Sequence, residues 1–400
     1  MKPGKKVLYL TYDGLTDPLG QSQIIPYLLG LASAGFEFFI VSFEKEANFM
    51  QHREDVLATI SGERLTWHPL TYTKKPPILS TIYDLLRMHK VIKKAKNIDL
   101  IHCRSYLPML VALRNKHAKI VFDMRGLWAD ERVEGNLWPQ NIGLYRMIYR
   151  YFLKKEKRFL EKADAVISLT QDGITALKER YGKFLDWTKF TVIPCCVDTK
   201  RFTLVENGPE VKKELGLAPD TKLLIHVGSV GTWYRVDQEL AFYKALSELD
   251  PSWRFLILTK DIAQANTIVQ KLGELVPHVV IQSARHDEVN HFLAAADASV
   301  QFIAPSFAKR ASSPVKMGEC FAAGIPVVAN EGIGDSTQII QEGKAGVVLK
   351  DWGDIPKIAA EFNRMAFDKR AIRNYAVQTL SLEMGIERYK GVYTQLFGHD

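Results

Sequence analysis

Residues 6–43 read KVLYLTYDGLTDPLGQSQIIPYLLGLASAGFEFFIVSF. A short apolar run, Val7–Leu10, ends at a turn holding Gly14, Pro18 and Gly20. Apolar positions then recur at helical spacing through QSQIIPYLLGLASAG, and a second apolar run, FFIVSF, follows. Strand, glycine turn, helix and strand make a βαβ unit, which requires parallel pairing because a helix must carry the chain back.

The same alternation continues outward. LIHC, KIVFDM, AVISLT and FTVIP read as further strands, with helical patterns at TIYDLLRMHKVIKKA and LYRMIYRYFLKKEKRFLEKA between them. Residues 203–221, TLVENGPEVKKELGLAPDT, hold Gly208, Pro209, Gly216 and Pro219 and few strand formers. The pattern then restarts with KLLIHVG, RFLILTK, HVVIQS, ASVQFIA, PVVAN and AGVVL. The expected architecture is α/β, with two Rossmann-like doubly wound domains facing a cleft. Their expected bounds are 1–205 and 206–381. The amphipathic stretch 382–397 is a candidate to pack back on the first domain. Ligands of such sheets lie beyond the carboxyl ends of the strands, so functional residues are expected just after strands.

The chain has 400 residues, 47% hydrophobic and 24% charged, enough for two cores. Four cysteines without metal-ligand spacing suit a reducing compartment. Val7–Leu10 is too short for a signal-peptide core, and no run of ~18 apolar residues predicts a membrane span. Charge is uneven. Residues 1–200 hold 31 Lys and Arg against 21 Asp and Glu, a balance of +10, while the whole chain stands at +8. A basic half implies an anionic partner, and no nucleic-acid-binding module is present to make that partner a nucleic acid.

Four stretches carry candidate chemistry. The turn Asp13–Gln23 leads into a helix, where Gly20 and Gln21 sit close to free backbone N–H groups that suit an anion. After KIVF comes DMRGLWADE, with Asp123, Arg125 and Trp128; carboxylates beside an aromatic face suit a sugar. After KLLIHV comes Gly228-Ser229-Val230-Gly231-Thr232-Trp233-Tyr234-Arg235, repeating the strand–turn–helix arrangement in the second domain. The fourth is KRASSPVKMGECFAAGIPVV, residues 309–328. Here Ser313 is the expected N-cap and Pro314 the first helical residue. Lys316 then falls in the first turn, where a cation opposes the helix dipole unless a diphosphate lies in front. Glu319, three residues on, shares its face and is suited to ribose or sugar hydroxyls.

SPVKMGECFAAGIPVV resembles the donor-site helix of glycosyltransferase family 4, whose fold is GT-B. YDGLTDPLGQSQIIPYLLGLASAGFEF resembles that family's first strand, glycine loop and helix, and ADAVISLT and FTVIPCCVDTKRF its interdomain region. The resemblance runs in order over nearly the whole chain. It implies a retaining enzyme that needs no metal or cofactor, with the acceptor mostly on the first domain and the nucleotide-sugar mostly on the second. Glu319 matches the second Glu of the family's Glu-x7-Glu motif, Gly20 its N-terminal phosphate-loop glycine and Gly228 its second phosphate turn. The chain departs from the pattern at Ala311, where the first Glu belongs, at Ser229, where an Arg is usual, and at Arg125, in place of a His. Arg235, Lys309, Arg310 and Lys316 are the candidate sources of positive charge, Lys316 first.

The expected function is retaining transfer from a nucleotide-sugar to a lipid-linked or polysaccharide acceptor in cell-surface glycan synthesis. The expected catalytic residues are Lys316, Glu319, Arg125 and Asp123. Gly20, Gln21, Gly228, Ser229, Gly231, Arg235, Arg310 and Ser313 join Lys316 and Glu319 in donor binding. The alternative is a non-catalytic nucleotide-sugar-binding partner. An NAD enzyme is disfavoured by the missing GxGxxG with its distal acid. No Asp-x-Asp or His/Cys cluster predicts a metal. Residues 144–163 and 81–96 carry apolar stripes beside dense Lys and Arg, which predicts a peripheral place on the anionic inner face of the cytoplasmic membrane.

Overall fold

A computed structural model describes residues 5–115, 117–272 and 278–398. The chain up to Pro194, with the stretch from Leu382 onward, forms one unit, and Cys195–Ser381 forms the other. The expected boundary at 205 lies inside the second unit, because Val197 and Phe202 are buried in that unit's core.

Among the described residues the first unit holds seven parallel strands: β1 Lys6–Thr11, β2 Glu37–Glu44, β3 Leu65–Thr71, β4 Leu100–Arg104, β5 Lys119–Asp123, β6 Ala165–Ser168 and β7 Phe190–Val192. Their order is β3-β2-β1-β4-β5-β6-β7. β4 is buried along its length, as a central parallel strand covered on both faces must be. β3, LTWHPLT, is not foreseen from the sequence. It is an edge strand with half-exposed residues, and Pro69 is tolerated there because an edge leaves one side unpaired. The last helix, Leu382–Phe397, completes this unit. Its Tyr389 meets Tyr27 edge-on at 5.4 Å and its Tyr393 meets Phe36 at 5.1 Å.

The second unit holds β8 Lys222–Val227, β9 Trp253–Leu258, β10 Val279–Gln282, β11 Ala298–Gln301, β12 Val327–Asn330 and β13 Gly346–Leu349, in the order β10-β9-β8-β11-β12-β13. Both sheets reverse direction of build once, at β1/β4 and at β8/β11. The connections leaving those paired strands diverge and open a crevice at each sheet's carboxyl edge.

Candidate active site

In the first unit the switch point sets β1 and β4 side by side, so Asp13 and Arg104 meet just beyond their ends, with Arg104 Nε 3.4 Å from Asp13 Oδ2. β5 adds Asp123, whose carboxylate is fully buried. Tyr389 Oη donates to Asp123 Oδ2 at 2.9 Å, and His102 Nε2 lies 3.5 Å from the same oxygen. Arg104 and Arg125 each place a guanidinium nitrogen 3.9 Å from the carboxylate. Burial by itself would raise the Asp123 carboxyl, but the Arg125 charge and the His102 contact outweigh it and hold it at about 2. Burial also pushes His102 below its ordinary value, so the imidazole stays neutral while its Nδ1 meets Tyr393 Oη at 2.7 Å. An ionised Asp123 carboxylate thus lies between the Arg104 and Arg125 guanidinium groups. Arg125 takes a left-handed backbone, φ +55°, which an L residue adopts only when its surroundings impose it. His102, Arg104, Tyr389 and Tyr393 escaped the sequence reading, although two polar residues in the fully buried run LIHCR were a usable signal.

The glycine turn after β1 is satisfied from within. Leu15 and Thr16 N–H donate to the two oxygens of Glu44 at 2.8 and 3.1 Å, and the hydroxyls of Thr16 and Ser42 join them. Glu44, at the end of β2, thus already holds two amides of the expected anion loop. Gly20 is required by packing: a Cβ there would stand 2.1 Å from the Gly14 carbonyl oxygen. Gln21 is exposed and its amide donates to Thr16 O at 3.2 Å. Trp128 does not offer a free face. It stacks on Tyr106, meets Trp138 and Phe152 edge-on, and carries Arg132 4.9 Å from its ring centre.

In the second unit the switch point brings the turn after β8 beside the segment after β11. Gly231 has φ +100°, a conformation that favours glycine, and Asp261 accepts from Val230 N at 2.9 Å. Ser229 is exposed at the tip. Beneath the turn, His226 Nδ1 lies 2.8 Å from Glu239 Oε2, both side chains fully buried, and Glu239 Oε1 accepts from Phe302 N at 2.9 Å. Burial would lower His226, but the Glu239 carboxylate outweighs it and raises the imidazole above its ordinary value. Lys309 Nζ sits 4.0 Å over the Trp233 ring, joining the two segments by a cation–π contact. Arg235 is engaged elsewhere: Asp237 holds its guanidinium at 2.9 and 2.7 Å, over Trp352. Arg310 lies over Phe307 at 5.8 Å.

The helix after this segment spans Val315–Ala322. The expected Ser313 cap is not formed. Pro314, with ψ 110°, is the residue before the helix, and the Ser313 hydroxyl instead accepts from Cys195 N at 3.1 Å. Lys316 and Glu319 share a face as expected, and Nζ meets Oε2 at 2.7 Å. This is no solvated surface pair, since the Glu319 side chain is only 3% exposed. His286 Nε2 stands 3.3 Å from the other carboxylate oxygen. Burial would raise Glu319, but the His286 and Lys316 contacts win and keep it below its ordinary range. The result is an ionised carboxylate with cationic or N–H partners on both oxygens, in the first turns of a helix. Such a cluster can hold a hydroxyl-rich group and an adjoining anion. His286, Asp261 and Glu239 are additions to the sequence reading, and Trp233, within the candidate turn there, gains its partner Lys309.

Two family descriptions match the chain: Glycosyltransferase Family 4 over residues 27–201 and Glycosyl transferases group 1 over residues 221–368. N-acetyl-alpha-D-glucosaminyl L-malate synthase of Bacillus anthracis is 25% identical over 391 residues, 94% of this chain and 90% of its own. Among solved structures, the Anabaena protein HepE in complex with UDP and glucose is 15% identical with a TM-score of 0.68, covering 98% of this chain and 100% of its own. WaaG, described as a glycosyltransferase involved in lipopolysaccharide biosynthesis, is 17% identical with a TM-score of 0.68 over the same shares.

Proposed function

Given that this chain belongs to the glycosyltransferases of the family 4 type, with the GT-B fold, we propose that it transfers a sugar from a nucleotide-sugar to a lipid-linked or polysaccharide acceptor, with retention, in cell-surface glycan synthesis. The observation that carries the reading is the buried Glu319 carboxylate in the helix Val315–Ala322, met by Lys316 on one oxygen and His286 on the other. Breaking the bond between the anomeric carbon and the diphosphate leaves negative charge on the departing phosphate. Lys316 and the N–H groups that open the helix supply the compensating charge, a preorganised electrostatic role. Glu319 accepts from ribose or sugar hydroxyls, and Lys309, held by Trp233, adds charge beside the turn after β8. No step needs a metal. HepE and WaaG support the donor class and the surface-glycan role by analogy of fold.

On this reading Arg104 and Arg125, beside the Asp123 carboxylate, are the cationic groups that meet the acceptor. The density of Lys and Arg on the long helices of that unit supports a peripheral position on the anionic inner face of the cytoplasmic membrane. No helix among the described residues is long and apolar enough to cross a bilayer.

The test is a panel of nucleotide-sugars scored by thermal shift and by release of nucleoside diphosphate. One donor should stabilise the fold in proportion to the logarithm of its concentration over its Kd. A chain that binds no member of the panel contradicts the proposal. Binding without any release favours the binding-only alternative.

A further inference from the structure

Three helices of the first unit, Leu79–Lys94, Tyr106–Ala112 and Gly143–Lys162, wall a groove of about 300 Å³. Its lining changes character along its length. Ile82 and Leu86 from the first helix and Tyr151 from the third are about half exposed, which leaves apolar surface in contact with water. One turn further along the same helices come His89 on one side and Lys155 and Arg158 on the other, joined by Arg114 from the end of the short helix. Lys155 Nζ lies 5.2 Å over the Tyr151 ring, so the two zones meet there.

The gradient is written into both long helices. Leu144, Met147 and Tyr151 are exposed at helical spacing and lead to Lys155 and Arg158. Leu79, Ile82 and Leu86 likewise lead to Lys90 and Lys93. Acids are turned away from the groove. Asp84 is buried and accepts from Tyr12, Thr73 and Arg87, while Glu156 is buried against Tyr181 and Arg180. The positive field is already felt by His89: burial, then Lys93 and Arg114, lower its pKa, and its Nδ1 is a buried atom without a hydrogen-bond partner.

We propose that this groove seats one anionic phospholipid of the bilayer, its phosphate against Arg114, Lys155 and Arg158 and its acyl chain along Ile82, Leu86 and Tyr151. The charge complementarity names the head group, and the half-exposed apolar end names the chain. The apolar ends of the helices lie at the carboxyl edge of the sheet, where Arg104 and Arg125 also stand, and the cationic ends lie toward the opposite edge. An acceptor phosphate would need the reverse order to bring its sugar to that edge, so the groove belongs to a resident lipid. The proposal builds on the membrane-face reading and is independent of the donor assignment.

The probe is dihexanoyl phosphatidylglycerol kept below its micelle concentration, with glycerol 3-phosphate and dihexanoyl phosphatidylcholine as controls. Saturable binding of the phosphatidylglycerol alone is expected. The pair Arg114→Gln and Arg158→Gln should weaken it about tenfold or more, as should Leu86→Glu, whose site is exposed enough to spare the fold. Lys94→Gln with Lys162→Gln removes equal charge from the same helices outside the groove and should leave binding near the wild-type level. Equal binding of glycerol 3-phosphate would make this a phosphate site, and equal loss in both double variants would make the attraction diffuse; either overturns the proposal. A lipid-free dimer broken by Leu86→Glu would also overturn it, by giving the groove to a second copy. Sedimentation with phosphatidylglycerol vesicles, released by high salt, reports separately on the membrane reading.

Discussion

Lys316 shows how one side chain can be read twice. In sequence it is a cation at the wrong end of a helix, and in structure the nearby Glu319 carboxylate answers it at 2.7 Å. With a diphosphate in place, Lys316 should turn to the larger charge. Lys316→Met should therefore lower turnover by about a hundredfold, the scale of losing one preorganised electrostatic partner, while the fold persists. Full activity in the purified variant would pass the role to Lys309. Asp123 belongs to the same scale. Its folded pKa is about 2 against an ordinary 3.8, so it stabilises the fold fully above 3.8 and loses that contribution as pH falls toward 2. The contribution is on the order of 2 kcal/mol. Urea unfolding of Asp123→Asn should show a shallower loss of stability below pH 4 than the wild type. Neither role for Asp123 was legible in DMRGLWADE, because the partners that decide it, His102, Arg104 and Tyr389, come from distant segments.

At the scale of elements, the turns explain what the sequence showed and what it hid. The strand–turn–helix pattern at Gly14–Gly20 was legible, since glycine and proline punctuate it. Its tenant was not: Glu44 reaches in from β2 and takes the Leu15 and Thr16 amides. Gly20→Ala should cost about 1–3 kcal/mol, measured by denaturant midpoint, because its Cβ would meet the Gly14 carbonyl and the turn would have to shift. The helix Leu382–Phe397 was visible as an amphipathic stretch, but its service to the site came only with the structure. Tyr389→Phe removes the hydroxyl that donates to buried Asp123. A loss of about 1–3 kcal/mol is expected, with an upward shift of the acid limb of the activity–pH profile if Asp123 steers Arg125. An unchanged profile would detach the helix from the site. β3 escaped because an edge strand with Pro69 lacks the continuous apolar run that betrays a central parallel strand.

For the whole molecule, the alternation of apolar runs with helical periods specified two parallel sheets, and the GT-B fold follows from it. The crossover at Pro194 was harder to place, because Cys195–Phe202 lacks a composition break and commits to the second unit only by packing. The Lys316–Glu319–His286 cluster was half legible. Lys316 and Glu319 are neighbours on one helix, whereas His286 arrives from the segment that follows β10. Because charge on this cluster is supplied by side chains and a helix terminus, activity should persist in excess EDTA; strict dependence on magnesium or manganese would contradict that part of the account. The proposed function requires the second unit to hold the nucleotide-sugar through Glu319 and its partners. Calorimetric titration of the preferred nucleoside diphosphate into wild type and Glu319→Ala is the decisive test. A Kd raised by about tenfold or more in a folded variant is the predicted result, as for losing a charged hydrogen-bond acceptor; an unchanged Kd would contradict it.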